Sequence, residues 1–221
     1  MSTRQRYVNT LRGILREFGF AIPLGVNVAK EQIGAALAAP ESEVPQALRS
    51  TLADMLQEIR LLEEKILGVE RELNSLTRAD VRVQQLRQIP GIGALTSTAL
   101  RAIVGDIQRF PSGRHFASWL GLTPNERSSA EKRRLGKISK QGDVYLRTLL
   151  VHGARSALLA AHRVERAGHS LDRLRRWALD CEHQRGHNKA TVALANRLAR
   201  IVWATWKYER PFDGNWSIQD T

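Results

Sequence analysis

The longest regular pattern of hydrophobic positions lies between residues 48 and 76. Apolar side chains recur there at alternating intervals of four and three residues, at Leu48, Leu52, Met55, Ile59, Leu62, Ile66, Val69, Leu73 and Leu76. Charged residues flank these positions, which we call the heptad seam, and no proline interrupts them. The spacing is that of the a and d positions of a coiled coil. It therefore predicts one long helix whose apolar face needs a partner helix.

Two partners for the heptad seam are compatible with the sequence. Val8, Leu11 and Leu15 share a face at helical spacing, so residues 3–18 are predicted to form a helix on which the seam folds back as a hairpin. Alternatively, the seam pairs with that of a second copy of the chain and makes a homo-oligomer. The sequence does not decide between them, and we favour the coiled coil between subunits. The connector carries only a weak helical pattern, near residues 31–38.

Beyond residue 80 the chain consists of shorter predicted helices separated by glycines. We expect helices at residues 94–104, 143–163 and 189–208. Trp203, Trp206 and Trp216 cluster near the end of the chain. A tryptophan stripe on a helix is more typical of a packed core than of a base-stacking surface, so these residues predict a C-terminal core with aromatic anchors.

These patterns together predict a mainly α-helical fold in three segments. Residues 1–80 form a helical and coiled-coil assembly segment, a helical hairpin or coiled coil. Residues 81–208 form a compact helical domain, and residues 209–221 form a tail that we expect to be poorly ordered from Arg210. Short strands around residues 129–138 are an alternative that we do not adopt.

Composition narrows the class of protein. No stretch of the 221 residues approaches the roughly 18 unbroken apolar residues of a membrane span. Cys181 is the only cysteine, so an internal disulfide and a multi-thiolate zinc site are excluded. Four arginines precede the first apolar run without a cleavage site after it, which argues against a secretory signal. We expect a cytoplasmic protein with no membrane partner.

The positive charge is confined to one half of the chain. Residues 1–80 carry 10 Lys and Arg against 11 Asp and Glu, a net charge of −1, whereas residues 81–221 carry 24 against 11, a net charge of +13. This asymmetry favours an assembly module joined to a module that binds a polyanion such as nucleic acid. The alternative is a basic surface that serves only solubility.

Residues 89–93 have the sequence Ile-Pro-Gly-Ile-Gly and precede the predicted helix at 94–104. A hydrophobic residue, Pro-Gly-x-Gly and a helix are typical of a helix-hairpin-helix turn. Gly91 and Gly93 permit positive φ and close approach, so N–H groups at the start of the helix could bind a DNA or RNA phosphate without reading the base. A purely structural turn explains the same residues equally well.

The densest cluster of positive charge lies between residues 112 and 147. We predict that its cations bind nucleic-acid phosphates; they are Arg114, Arg127, Lys132, Arg133, Arg134, Lys137, Lys140 and Arg147. Ser128 and Ser129 lie among them on a predicted loop. A serine hydroxyl beside cations suits phosphoryl transfer, because the cations stabilise negative charge at the phosphorus. A serine that only contacts a phosphate fits the same pattern.

Cys181, His183 and His187 have a spacing that could suit metal ligands. A fourth ligand is missing from the sequence around them, and Arg185 and Lys189 are adjacent. We therefore interpret them as surface or core-edge residues and assign no metal site to them.

The order of these motifs resembles one family over essentially the whole chain to about residue 206. The motifs are residues 9–19, the heptad seam, residues 89–93, Phe110, residues 118–124, Ser128 and Ser129, residues 137–143, residues 145–147, residues 188–190, residues 195–201 and Trp203. Residues 121–147 form the longest and most specific of them. The chain resembles the insertion-sequence one-ten family of bacterial transposases.

The resemblance implies a DNA recombinase of two parts joined by a coiled coil. An N-terminal resolvase-like domain supplies an Asp-Glu-Asp-Asp cluster for metal ions, and a helical C-terminal domain supplies a serine that attacks the DNA phosphate. A structured guide RNA selects the DNA. Carried onto this chain, the nucleophile is Ser129, with Ser128 the lesser candidate. The family has glycine after this serine, whereas this chain has Ala130.

Residues 1–80 contain no sheet-like run with paired acids that matches the metal domain. We therefore expect the C-terminal portion of a transposase, with no cofactor of its own and Mg²⁺ only where an acidic domain is added. Such a chain binds nucleic acid and self-associates but does not recombine DNA alone. Two other classes stay open: a non-catalytic nucleic-acid-binding and dimerisation module, and a helical assembly protein that depends only on its heptads.

Overall fold

The structure is a computed structural model that describes residues 3–39, 44–126 and 135–215. It contains two compact units, Met1–Arg71 and Glu72–Thr221, which we call the N-terminal and C-terminal units. Its helices are α1 (Thr3–Glu17), α2 (Val26–Ala38), α3 (Gln46–Arg78), α4 (Val81–Arg87), α5 (Ala94–Val104), α6 (Gly113–Trp119), α7 (Val144–Arg166), α8 (Arg173–Arg185) and α9 (His187–Tyr208). The prediction of a mainly helical fold is confirmed.

The N-terminal unit packs α1, α2 and the first part of α3 around one hydrophobic core. Its buried side chains are Val8, Leu11, Leu15, Ala29, Ile33, Ala36, Val44, Leu52, Leu56 and Ile59. Glu63 of α3 forms ion pairs with Lys30 of α2 and, at 3.6 Å, with Arg4 of α1. The first half of the heptad seam therefore packs within its own chain, as the hairpin alternative predicts, with α2 as an additional helix. This helix begins five residues before the predicted 31–38.

The second half of the heptad seam stays open to solvent. Ile66, Val69 and Leu76 are 41%, 56% and 63% exposed, although α3 continues without a break to Arg78. Exposed apolar residues at the a and d positions of a long helix are typical of a surface that packs against another helix.

The C-terminal unit is built around α9, which packs against α4, α6, α7 and α8. Trp203 and Trp206 are buried, as predicted, whereas Trp216 lies outside the described residues. The indole Nε1 of Trp203 donates a hydrogen bond of 3.1 Å to the carbonyl oxygen of Phe110. Phe110 also contacts Phe116 edge to face, with ring centroids 5.0 Å apart. This aromatic packing fixes α6 against α9.

Two strands form where the sequence analysis preferred a loop. They are β1 (Pro124–Glu126) and β2 (Leu135–Ile138), and they pair in antiparallel orientation. With three and four residues, they are too short for an alternating hydrophobic pattern to identify them. Backbone pairing, and not side-chain burial, defines them, since the side chains of β1 are exposed.

The sequence analysis also missed α8. Only a narrow apolar stripe marks α8 among many charged residues, and the Asp172 carboxylate caps it by accepting a 2.8 Å hydrogen bond from Arg175 N. The described part of the predicted tail packs against this helix start. The backbone N–H of Leu174 donates to Gly214 O at 3.1 Å, and that of Arg173 donates to Asn215 Oδ1 at 3.2 Å. These contacts join Gly214 and Asn215 to the start of α8, and the rest of the predicted tail, residues 216–221, lies outside the described residues.

Along the described ranges, none of the helices is both long and apolar enough to cross a membrane.

Candidate nucleic-acid interface

Strands β1 and β2 form the base of a β-hairpin. Pro124 lies opposite Ile138 and Glu126 opposite Leu135, with one irregularity in the register. Flanking bonds extend the pairing, since Ser139 N donates to Thr123 O at 2.9 Å. Residues 127–134 join the strands and lie outside the described residues; the predicted site residues among them are Arg127, Ser128, Ser129, Lys132, Arg133 and Arg134.

The hairpin is anchored where α6 ends and α7 begins, a contact that we call the hairpin junction. Arg147 donates from Nη1 to the carbonyl oxygens of Leu120 and Gly142, at 3.1 and 3.3 Å. A Cβ atom on Gly142 would lie 2.1 Å from the carbonyl oxygen of Trp119, so this approach admits only glycine. The junction thus fixes both chain segments from which residues 127–134 depart.

The predicted phosphate-binding cations occupy different environments. Arg114 on α6, Lys137 on β2 and Lys140 after β2 are exposed, so a ligand can reach them. Arg147 is half-buried, and its guanidinium engages the carbonyls of the hairpin junction. High local charge in the sequence predicts a basic region but does not distinguish a ligand-facing cation from one that holds the backbone.

The turn at residues 89–93 connects α4 to α5. Gly91 has φ +83°, and a Cβ atom there would lie 2.3 Å from the carbonyl oxygen of Gly153 in α7. Close packing against α7 therefore accounts for glycine at position 91. Gly93 is the exposed N-cap of α5 and has open space around its Cα. In the first turn of α5, Leu95 is exposed, whereas Thr96 and Ser97 are buried.

An open pocket of about 470 Å³ lies beside this turn, with Arg87 and Arg175 in its wall. Both cations have partners within the unit. Arg175 forms an ion pair with Asp172, and Arg87 donates from Nη1 to Thr77 Oγ1 at 3.2 Å. The pocket is thus positively charged, but its arginines are held by the protein itself.

Four arginines from three helices lie close enough for their charges to interact. This arginine cluster consists of Arg114 on α6, Arg173 on α8, and Arg197 and Arg200 on α9. Burial, followed by the charges of Arg200 and Arg173, lowers the pKa of Arg197 from its ordinary value. Burial and the charge of Arg114 lower the pKa of Arg200. Among the described residues, none of the four side chains has a carboxylate partner.

Sequence reasoning found only Arg114 of this cluster, because Arg114 falls within the basic stretch 112–147. The other three arginines lie outside that stretch, and Arg173 belongs to a separate basic run with Arg175 and Arg176. The spacing of Arg197 and Arg200, three residues apart on a helix, places them on one face and was the only available signal.

Cys181, His183 and His187 do not converge on a common point. Cys181 is buried and His183 is exposed, whereas His187 Nδ1 lies 2.7 Å from Glu182 Oε1. His162 Nε2 lies 2.6 Å from the other oxygen of Glu182. Burial alone would raise the pKa of Glu182, but these hydrogen bonds from His187 and His162 lower it overall. Within the described residues, no group of three or more His, Cys, Asp or Glu could hold a metal ion.

Comparisons with known proteins point to one family. Residues 83–169, which include the turn and the hairpin, match the model of the Transposase IS116/IS110/IS902 family. The chain is 38% identical over 202 residues to a probable family 20 transposase of Pseudomonas aeruginosa, covering 91% of this chain and 58% of the relative. It is 34% identical over 204 residues to the transposase for insertion sequence element IS1111A of Coxiella burnetii, covering 92% and 54%. It is 36% identical over 200 residues to the transposase for IS1328 of Yersinia enterocolitica, covering 90% and 57%.

The chain is thus similar, over most of its own length, to proteins named as transposases of insertion sequences. It belongs to the IS116/IS110/IS902 family, as its motifs suggest. The chain spans a little over half the length of these curated relatives.

Proposed function

We propose that the C-terminal unit binds DNA and supplies the serine nucleophile for DNA transposition, with a structured RNA as a second nucleic-acid partner. The observation that carries this proposal is the hairpin junction. It ties together the two segments that lead into residues 127–134, and Lys137 and Lys140 on the second segment are exposed. The position of Ser129 in the sequence between these segments supports the proposal. Family membership, together with the net charge of +13 over residues 81–221, supports the choice of a nucleic acid as ligand.

In the proposed reaction the Ser129 hydroxyl oxygen attacks a backbone phosphorus of DNA. The serine proton leaves, the bond from phosphorus to one neighbouring sugar oxygen breaks, and that oxygen takes a proton. The DNA phosphate stays joined to Ser129 until the hydroxyl of another strand end attacks it and releases the serine. Cations around the phosphate stabilise the charge that develops on its oxygens.

The metal ions that the family resemblance implies do not fit the described residues, which contain no group able to hold one. The acids that flank the heptad seam belong to a helix surface, and Glu63 among them is paired with Lys30 and Arg4. The proposal therefore places the acidic metal-binding cluster on a separate domain, in the same or another polypeptide, and no step above depends on a metal held here.

Binding to nucleic acid is expected to fall steeply with salt. If about six phosphates are neutralised, the affinity for a DNA duplex decreases by roughly a thousandfold between about 50 and 200 mM salt, because bound counterions are released. A gel-shift titration of the purified chain with duplex DNA and with a structured RNA measures this. Absence of binding at low salt, or binding that ignores salt, would contradict the proposal and favour the assembly-only class.

Ser129→Ala serves as the matched variant in the same experiment. Its duplex affinity should equal that of the wild type, because the hydroxyl carries no charge, whereas cleavage with the acidic domain supplied should disappear. Ser128→Ala should retain cleavage. If Ser129→Ala cleaves normally and Ser128→Ala does not, Ser128 is the nucleophile. If both variants cleave normally, neither serine is needed for the chemistry and the non-catalytic module becomes the better description.

We also propose that a second copy of the chain covers the exposed half of the heptad seam, making a homo-oligomer. The seam continues its a/d spacing through Ile66 and Val69, which are exposed here and need an apolar partner.

Replacing Ile66 with glutamate is expected to convert the oligomer to monomers, since a charge at a seam position opposes burial. Light scattering coupled to size-exclusion chromatography measures the mass. Leu67→Glu is the control, because Leu67 is 51% exposed but lies outside the seam spacing. Equal effects of the two substitutions, or a monomeric wild type, would contradict this role of the seam.

A further inference from the structure

The arginine cluster brings like charges together. Burial, with the charges of Arg200 and Arg173, lowers the pKa of Arg197, and burial with the charge of Arg114 lowers the pKa of Arg200. Among the described residues, no carboxylate lies within ion-pair distance of any of the four. A bound polyanion would remove the repulsion.

Local packing positions Arg197 and Arg200 of this cluster. The guanidinium of Arg197 lies over the ring of Trp177, 4.4 Å from the ring centroid, and this contact fixes the plane of the guanidinium group. Gly113 lets α6 approach α9 so closely that a Cβ atom there would lie 3.2 Å from Cα of Arg200, and this contact brings Arg114 beside Arg200. Next to Arg197, Asn196 donates from Nδ2 to the carbonyl oxygen of Leu122 at 3.1 Å, tying α9 to the segment that leads into β1.

Fixed guanidinium groups suit phosphate oxygens. The planar guanidinium group of arginine donates two parallel hydrogen bonds to a phosphate, whereas the mobile ammonium group of lysine acts as a point charge. Arg197 and Arg200 are one helical turn apart on the same face, and Arg173 and Arg114 extend the positive surface to either side from neighbouring helices.

We infer that the arginine cluster, beside the hairpin, is a second phosphate-binding site and binds the sugar-phosphate backbone of a DNA duplex. It binds without reading the sequence and positions the duplex relative to the connection that carries Ser129. This inference rests on the proposed function, since it names where on the same unit part of the DNA is held.

The test compares two double variants that remove equal charge. Arg197→Gln with Arg200→Gln should weaken duplex binding at least about tenfold at moderate salt and lower the salt slope by about 1.8. Arg163→Gln with Arg166→Gln is the control: these arginines are exposed, also three residues apart, and lie in the last turn of α7. The control pair should change the affinity less than about threefold.

Three further measurements separate a loss of phosphate binding from a loss of folding. Thermal unfolding should show the Arg197 and Arg200 variant to be as stable as the wild type, because it relieves repulsion. If the double glutamine variant does not fold, the double variant Arg197→Lys with Arg200→Lys replaces it. This variant keeps the charge but loses the guanidinium groups, so its affinity for the duplex should lie between that of the wild type and that expected for the glutamine variant. Equal losses from the cluster and control pairs, or a larger loss for structured RNA than for duplex DNA, would overturn the assignment. A wild type that binds no DNA would instead contradict the proposed function itself.

Discussion

Replacement of Gly142 with alanine is expected to lower the free energy of unfolding of the C-terminal unit by about 3 kcal/mol. The added Cβ atom would lie 2.1 Å from Trp119 O, 2.7 Å from Leu120 C and 2.8 Å from Gly121 N. All three atoms belong to backbone, so no side-chain rotation can relieve the overlap. The chain must separate the start of α7 from the end of α6, and Arg147 then loses its carbonyl partners. Urea unfolding followed by tryptophan fluorescence measures the change, since all five tryptophans follow residue 81.

Gly136→Ala is the matched control for this prediction. Gly136 lies in β2, and its added Cβ atom would meet Asn125 O at 3.4 Å, an ordinary contact. Its effect should stay below about 1 kcal/mol. Because the junction ties together the two segments that lead into residues 127–134, Gly142→Ala should also abolish any strand cleavage by the full system. An unchanged stability and an active Gly142→Ala protein would show that the junction does not position the serine.

The helical elements were predictable because their signals are periodic and local. The bounds of α5 at Ala94–Val104 agree with the prediction, since the turn glycines before it and Gly105 after it mark both ends. The heptad seam likewise predicted an uninterrupted α3. Which helices cover the seam depends on packing between distant segments, so the sequence left the two partners open and the structure shows one for the first half.

The geometry of the candidate site was less predictable, for physical reasons. The β-hairpin depends on backbone pairing, which leaves no hydrophobic pattern in three or four residues. The arginine cluster assembles from α6, α8 and α9, and charge counting along the chain detects only its Arg114. The role of Gly91 was also ambiguous, because the same Pro-Gly-x-Gly suits a phosphate or a close helix contact until Gly153 is placed against it.

Replacement of Gly153 with alanine should destabilise the C-terminal unit by about 3 kcal/mol, although alanine is the better helix former. Gly153 lies inside α7, and its added Cβ atom would lie 2.1 Å from the carbonyl oxygen of Gly91. Gly91 cannot move away freely, because it belongs to the turn between α4 and α5 and has φ +83°. The substitution therefore pushes the turn from α7. Urea unfolding followed by far-ultraviolet circular dichroism should show a lower midpoint with an unchanged slope.

Gly68→Ala is the control for this prediction, because it should stabilise the protein rather than destabilise it. The comparison isolates the effect of the contact between Gly153 and Gly91. Gly68 also lies inside a helix, α3, but nothing lies within 4 Å of its added Cβ atom, so the N-terminal unit should gain up to about 1 kcal/mol from helix propensity. If both substitutions stabilise the protein, the turn at residues 89–93 does not rest on α7, and its glycines would then be free for phosphate binding. Destabilisation by Gly153→Ala alone means that the turn is held by packing. In that case Gly93 is the glycine of this turn that stays open to a nucleic-acid backbone.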